Sequence, residues 1–284
     1  MNSPSYKYDN DFSLYYSEYV DFIDKPHTVA EEFNSKWASS DTENNFNKLY
    51  KLYPKHLQYY KDNPIDYKIN KQNFRSDFDY SPNKTLKVDI FLGCSHTFGV
   101  GLHHSHNWTS LISQATGNTP INLGASGHGI GMSYLLLKKY INFYNVQNIF
   151  HYQPFYSRFL VHSKDKHDSF VSYQDNISEH LKDIYKEEYC KSTLADFGYI
   201  HFNQSRYIDA CFGLSLRHNA KYFYLCRWPE KHYNIFAIEK GIFEDDDIPA
   251  RDLIHFSKNM NVNIASRFKS FLNNNNYYIG FKND

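Results

Sequence analysis

Residues 84 to 153 alternate three short apolar stretches with two helical patterns, and this rhythm limits the chain to few folds. LKVDIFLG reads as a buried strand. Trp108 to Thr116 reads as a helix with Leu111, Ile112 and Ala115 on one face, and TPINLGAS as a short second strand. Ile130 to Tyr144 carries apolar residues at spacings of three and four, and QNIFHYQP follows as a third strand. Strands separated by helical crossovers pair in parallel, because a parallel neighbour cannot be reached through a tight hairpin. KYFYLCRW, residues 221 to 228, reads as a fourth strand, and Leu253 to Leu272, with IASRFKSFL, closes the domain with a helix. The fold expected is α/β, three layers α/β/α around a mainly parallel sheet.

The remainder is less regular. Residues 1 to 83 are polar and tyrosine-rich and read as a partly helical N-terminal extension. Its expected helices are Thr28 to Ala38 and Asn44 to Tyr60, followed by the extended stretch IDYKINKQNFRSDFDY, which Ser81-Pro82-Asn83 ends. Residues 84 to 284 form the α/β domain, interrupted at about 154 to 218 by an irregular insertion with charged helical stretches such as Ile177 to Tyr189. The formal net charge is zero, which argues against a nucleic-acid partner. No apolar run has the length of a membrane span, and the start MNSPSYKYDNDFSLYY lacks the pattern of a signal peptide. Cys94, Cys190, Cys211 and Cys226 show no CxxC spacing and suit reduced thiols, so a cytoplasmic location is expected. The 26 tyrosines, with abundant Asn and Lys, match the output of an AT-rich genome, such as a viral one.

Three stretches carry chemistry. In VDIFLGCSHTFGVG an apolar run stops at Gly93, and Ser95 stands at the strand end between Gly93 and Gly99. Ligands of parallel α/β sheets sit at that edge. Ser95 is then either the cap of the next helix or a nucleophile with helix amides behind it. INLGASGHGIGMSY places Gly124, Gly127, Gly129 and Gly131 after the second strand. Their GxxGxGxG spacing, without an acidic residue ending the next strand, argues against a nucleotide cradle. In IPARDLIHF, Asp252 and His255 stand three apart before a helix, where a carboxylate can fix a histidine tautomer and stabilise the imidazolium.

Taken in this order, the stretches resemble the SGNH (GDSL-like) hydrolase family over roughly residues 86 to 270. Gly93-Cys94-Ser95 with Gly99 matches its first block, Asn122 and NLGASGHG its second, and Asp252 with His255 its last. The resemblance implies a flavodoxin-like three-layer fold and acyl transfer to water with no metal or organic cofactor. Ser95 is the implied nucleophile, His255 the base, Asp252 its orienting carboxylate, and the amides of Ser95 and Gly127 the oxyanion hole. Two positions depart from the family. Cys94 replaces the Asp of G-D-S. The third block lacks its Asn, since the strand runs into HYQPFYSRF; Gln153 or Asn122 is left as the substitute oxyanion donor. Arg158, near the same strand end, is a candidate for binding an anionic substrate group. His103-His104-Ser105-His106 lacks the spacing of a metal site and reads as a polar loop.

Family members cleave acetylated sugars, lipids and thioesters, and the abundance of Tyr, Phe and His suits stacking on a carbohydrate. A small-molecule or glycan O-acetyl ester is therefore the expected substrate. The N-terminal extension is expected to cap the domain or to mediate a homo-oligomer. The second function class is an SGNH-fold binding or assembly module whose site has decayed, which the missing Asn favours and the retained Ser95, Asp252 and His255 disfavour.

Overall fold

A computed structural model describes residues 34–155, 158–159, 171–172, 197–226, 238–239, 243–244 and 246–274. Its centre is a parallel sheet of four strands: β3 (Asn83–Leu92), β4 (Thr119–Asn122), β5 (Tyr144–Tyr152) and β8 (Lys221–Leu225), in the order β4-β3-β5-β8. The first strand of this sheet lies between the second and the third. That is the doubly wound arrangement, in which the chain reverses its direction of travel across the sheet next to its first strand.

Alternation along β3 builds two cores. Val88, Ile90 and Leu92 enter one apolar cluster with Ile121, Ile149 and Tyr222. That face is covered by α5 (Ile130–Tyr140), through Leu136, Leu137 and Tyr140, and by α6 (Phe197–Arg217), through Ile208 and Cys211. Phe91, Phe150 and Phe223 face the other way, where Trp108 and Ile112 of α4 (Trp108–Thr116) and Ile264 and Phe268 of α7 (Lys258–Asn274) cover them. Helices therefore lie on both faces, giving three layers. Among the described residues no helix is long and apolar enough to cross a membrane, and Cys94, Cys211 and Cys226 are free thiols.

Several expected elements differ. The helix expected over Asn44 to Tyr60 is two helices, α1 (Glu43–Leu52) and α2 (Pro54–Asp62). Pro54 sits at the first turn of α2, where a missing N–H costs nothing; inside one long helix it would break the ladder. Of the helix expected over Thr28 to Ala38, residues 28–33 lie outside the described residues. Asn34–Ser35 is a short strand (β1) paired antiparallel with Tyr67–Lys68 (β2), and Ala38 bridges Asp41 across a turn. The helix expected to run to Tyr144 stops at Tyr140, and Tyr144 already opens β5. The last helix begins at Lys258, because residues 251–255 form turns and bends and residues 256–257 only lead into it. The irregular insertion contains the 21-residue α6. Its buried positions Ile200, Asn203, Gln204, Ile208, Cys211 and Ser215 keep helical spacing, but half of them are polar, which hides the pattern. Ile177 to Tyr189 lies outside the described residues, as do residues 227–228 of the fourth strand, whose described part ends at Leu225. Arg158–Phe159 and Val171–Ser172 form a separate antiparallel pair, β6 and β7.

The N-terminal elements do not stand apart. Leu57, Tyr60, Ile65, Tyr67 and Ile69 share one buried cluster with Phe98, Val100 and Leu253, so residues 34–82 pack onto the loops that follow β3 and precede α7.

Candidate active site

Ser95 opens a helix of only four residues, α3 (Ser95–Phe98), directly beyond the carboxyl end of β3. The N-cap position belongs to Cys94, and no side chain caps this helix. Ser95 is thus not the capping residue, and its hydroxyl is not spent on its own helix. The side chain is 5% exposed, and no hydrogen bond reaches its Oγ among the described residues. Gly99 ends the helix in the left-handed region, its N–H and that of Val100 both donating to the Ser95 carbonyl.

The loop after β4 lies against this helix. Leu123 N donates to Phe91 O and Ala125 N to Gly93 O, so the loop continues the sheet ladder past the end of β3. A Cβ on Gly124 would stand 2.4 Å from Phe98 N and 2.7 Å from the Thr97 carbonyl carbon; only glycine permits this approach. Asn122 closes the same junction. Its Nδ2 donates to Thr97 O at 3.0 Å and its Oδ1 accepts from Gly124 N at 2.9 Å. Asn107 Nδ2 donates to the same Thr97 carbonyl at 2.9 Å. Asn122, proposed from sequence as an oxyanion donor, therefore engages its amide in clamping α3 to the loop. Gly127 adopts φ +81°, is exposed, and has open space around the Cβ position. Its N–H has no acceptor among the described residues.

Asp252 and His255 are brought together by a turn. Leu253 N donates to Ala250 O, and Leu253 sits at φ +55°, a conformation costing a non-glycine residue roughly 1–2 kcal/mol. The fully buried Leu253 side chain offsets this through its contacts in the Phe98–Val100 cluster, since burying a leucine contributes about 1.5–3 kcal/mol. The turn aims Asp252 Oδ1 at the N–H groups of Ile254 and His255, both at 3.1 Å, and Oδ2 at His255 Nδ1, at 2.6 Å. Burial alone would raise the Asp252 pKa. The adjacent imidazole and the hydrogen bonds to His255 and Ser40 outweigh it and hold the carboxyl down at about 2.

One contact carries the two halves into a single site. The His96 ring, next to Ser95 in sequence, lies against the His255 ring, with centroids 4.9 Å apart, and stacks on Phe256 at 3.8 Å. Arg251 N also donates to Gly101 O at 2.8 Å, tying the turn before Asp252 to the loop after α3. No Ser95–His255 hydrogen bond is formed; such bonds are often long before substrate binds.

Gln153 lies at the end of β5, 9% exposed, with its backbone N–H on Leu225 O. Arg158 packs its backbone over Gly129, where a Cβ would meet Arg158 O at 2.3 Å. Its guanidinium lies 5.8 Å from the Phe155 ring, and its buried Nε and Nη1 have no hydrogen-bond acceptor among the described residues. His103 stacks on Tyr60 and His106 lies beside Tyr59, while His104 and Ser105 between them are exposed, so this histidine run is a loop packed in part on α2.

Sequence reasoning missed Ser40. Its hydroxyl donates to Asp252 Oδ2 at 2.6 Å across 212 residues, a pairing for which the local sequence offers no signal. No protein-family model matches the chain, and no curated protein matches it significantly.

Proposed function

We propose that the protein is a serine ester hydrolase of the SGNH (GDSL-like) type. The observation that carries this reading is the buried Asp252–His255 pair held against the Ser95 helix through His96. Ser95 Oγ attacks the acyl carbonyl and His255 takes its proton. With Nδ1 engaged by Asp252, Nε2 is the nitrogen that receives it. Asp252 stabilises the imidazolium, which then protonates the leaving alcohol. The same histidine activates the water that releases the acid from the acyl-enzyme. The N–H groups of Ser95 and Gly127 receive the oxyanion, and Gln153 takes the place of the family's third donor.

The proposed substrate is an O-acetyl or similar short acyl ester of a small molecule or glycan. Arg158 selects substrates with a negative group near the scissile ester, since a guanidinium with buried, unsatisfied donors gains most from a carboxylate or phosphate. The rival reading, a non-catalytic binding module on the same fold, is favoured by the missing block-three Asn and by the absent Ser95–His255 bond. Fluorophosphonate labelling separates the two. Wild type is expected to be labelled at Ser95 at neutral pH, and Ser95→Ala to lose both labelling and hydrolysis while keeping its melting temperature. An unlabelled, folded wild type would sink the hydrolase reading.

A further inference from the structure

Three consecutive residues of the N-terminal region grip the loops of the site. Ala38 and Asp41 exchange backbone hydrogen bonds at 3.0 Å around a tight turn whose first central residue, Ser39, has φ +57°. Asp41 is buried and receives Arg251 Nε on Oδ1 at 2.8 Å and Arg251 Nη2 on Oδ2 at 2.7 Å. Arg251 also stacks on Trp37, 3.9 Å from the ring centre, and is the residue directly before Asp252. Ser40 Oγ donates to Asp252 itself. Ser39 Oγ lies 2.8 Å from Ser126 Oγ, in the loop that carries Gly127. A lone serine–carboxylate bond on a surface would be incidental. Here the bond sits between a buried ion pair on one side and the glycine loop on the other.

We propose that this turn is part of the active site, with Ser40 a positioning residue for the Asp252–His255 pair; the inference rests on the reading of these residues as a catalytic dyad beside Ser95. The chemistry is specific. Asp252 Oδ1 is filled by two backbone N–H groups, so the carboxylate turns only if Oδ2 is free to move. Ser40 removes that freedom by donating to the same oxygen that faces His255 Nδ1. It also draws charge from that oxygen, which weakens its hold on an imidazolium. Among the described residues, the other charged or titratable groups around the pair are His96, against the imidazole ring, and Asp41 and Arg251, beside the carboxylate.

The test follows the His255 Nδ1–H proton by NMR in full-length protein at neutral pH, with the signal assigned through a His255→Gln variant. In Ser40→Ala the full charge of Oδ2 falls on this one donor, and its resonance is expected to move downfield as the Nδ1–H···Oδ2 bond strengthens. The kcat is expected to fall by about tenfold with KM little changed, as for an interaction that orients a base. Ser40→Thr, which keeps the hydroxyl, should restore both readouts; Ser40→Gly serves if Ser40→Ala misfolds. A resonance unmoved in a folded variant without the hydroxyl overturns the proposal, as does an equal disturbance in Ser40→Thr. The NMR readout needs no turnover. A shifted resonance in a protein that cleaves no ester upholds the positioning role and rejects the hydrolase reading; an active enzyme with an unmoved resonance does the reverse.

Discussion

Replacing Gly124 by Ala tests how the Ser95 helix and the glycine loop depend on each other. The glycine is not in the left-handed region, so the added methyl acts through space alone. It would stand 2.4 Å from Phe98 N, 2.7 Å from the Thr97 carbonyl carbon and 2.8 Å from Thr97 Cβ. Two of these atoms are backbone and cannot swing aside. Relief to ordinary carbon contact moves the loop and α3 apart by about 1 Å. That motion stretches the Asn122–Thr97 bond, now 3.0 Å, and so loosens the clamp that fixes Thr97 O. Overpacking of this kind costs about 1–3 kcal/mol, readable as a lower urea midpoint with unchanged slope. The catalytic effect should be larger. A displacement of about 1 Å between the Ser95 and Gly127 amides falls on the proposed oxyanion hole, where such errors cost about 10²-fold in rate. The assay pairs urea unfolding with kcat on a short acyl ester. Wild-type stability together with wild-type kcat in Gly124→Ala would refute the claimed approach of loop and helix.

Further outcomes follow from the same geometry. Gln153→Ala should lower kcat by about 10²-fold at unchanged KM if Gln153 holds the oxyanion; an unchanged kcat in an active enzyme would leave only the Ser95 and Gly127 amides. Arg158→Gln should raise KM for acidic esters by about tenfold while neutral esters and fluorophosphonate labelling stay as in wild type; equal loss on both ester types would remove Arg158 from specificity. Burial lowers the pKa of His151 from 6.5 to about 3, so the folded protein keeps this ring neutral while the unfolded chain binds a proton below 6.5. Stability from this group is therefore complete above pH 6.5 and is lost as pH falls toward 3, and urea midpoints at pH 7 and pH 5 should differ less in a folded His151→Phe variant than in wild type.

The sheet was legible because its strands obey simple patterns. Ile90 and Leu92 alternate with Phe91 between two apolar clusters, and a parallel strand buried on both faces reads as an unbroken apolar run. The helix α6 was illegible for the opposite reason. Asn203 and Gln204 occupy buried positions, and an apolar count treats them as surface. The break at Pro54 was available in the sequence, since the residue before proline is biased out of the helical region. In the site, D-x-x-H was readable because its turn is local: the Asp252 carboxylate meets the amides two and three residues on. For Asn122 the sequence showed only a side-chain amide at a strand end; the fold adds that this amide donates to Thr97 O.

Ser40 shows the limit most clearly, and it changes what the N-terminal region is. By pattern the chain divides at residue 83, where β3 begins. By packing it does not. Removing residues 34–82 would strip Leu57, Tyr60 and Tyr67 from a cluster that holds Phe98, Val100 and Leu253, exposing the apolar side of both site loops. It would also leave Arg251 without its carboxylate, and an ion pair broken in the interior costs about 3–5 kcal/mol because one charge stays behind. Arg75 adds a second tie, with Nη2 on Leu102 O at 2.8 Å and Nη1 on Gly99 O, so the loop leaving α3 takes its shape from the same region. The α/β sheet fixes where Ser95, Gly127 and Gln153 leave their strands. It does not fix the orientation of Asp252, which lies in a turn before α7 with only two amides of its own to hold it. The turn from Ala38 to Asp41 supplies that constraint from outside the sheet, which is why a segment without a recognisable motif belongs to the proposed site.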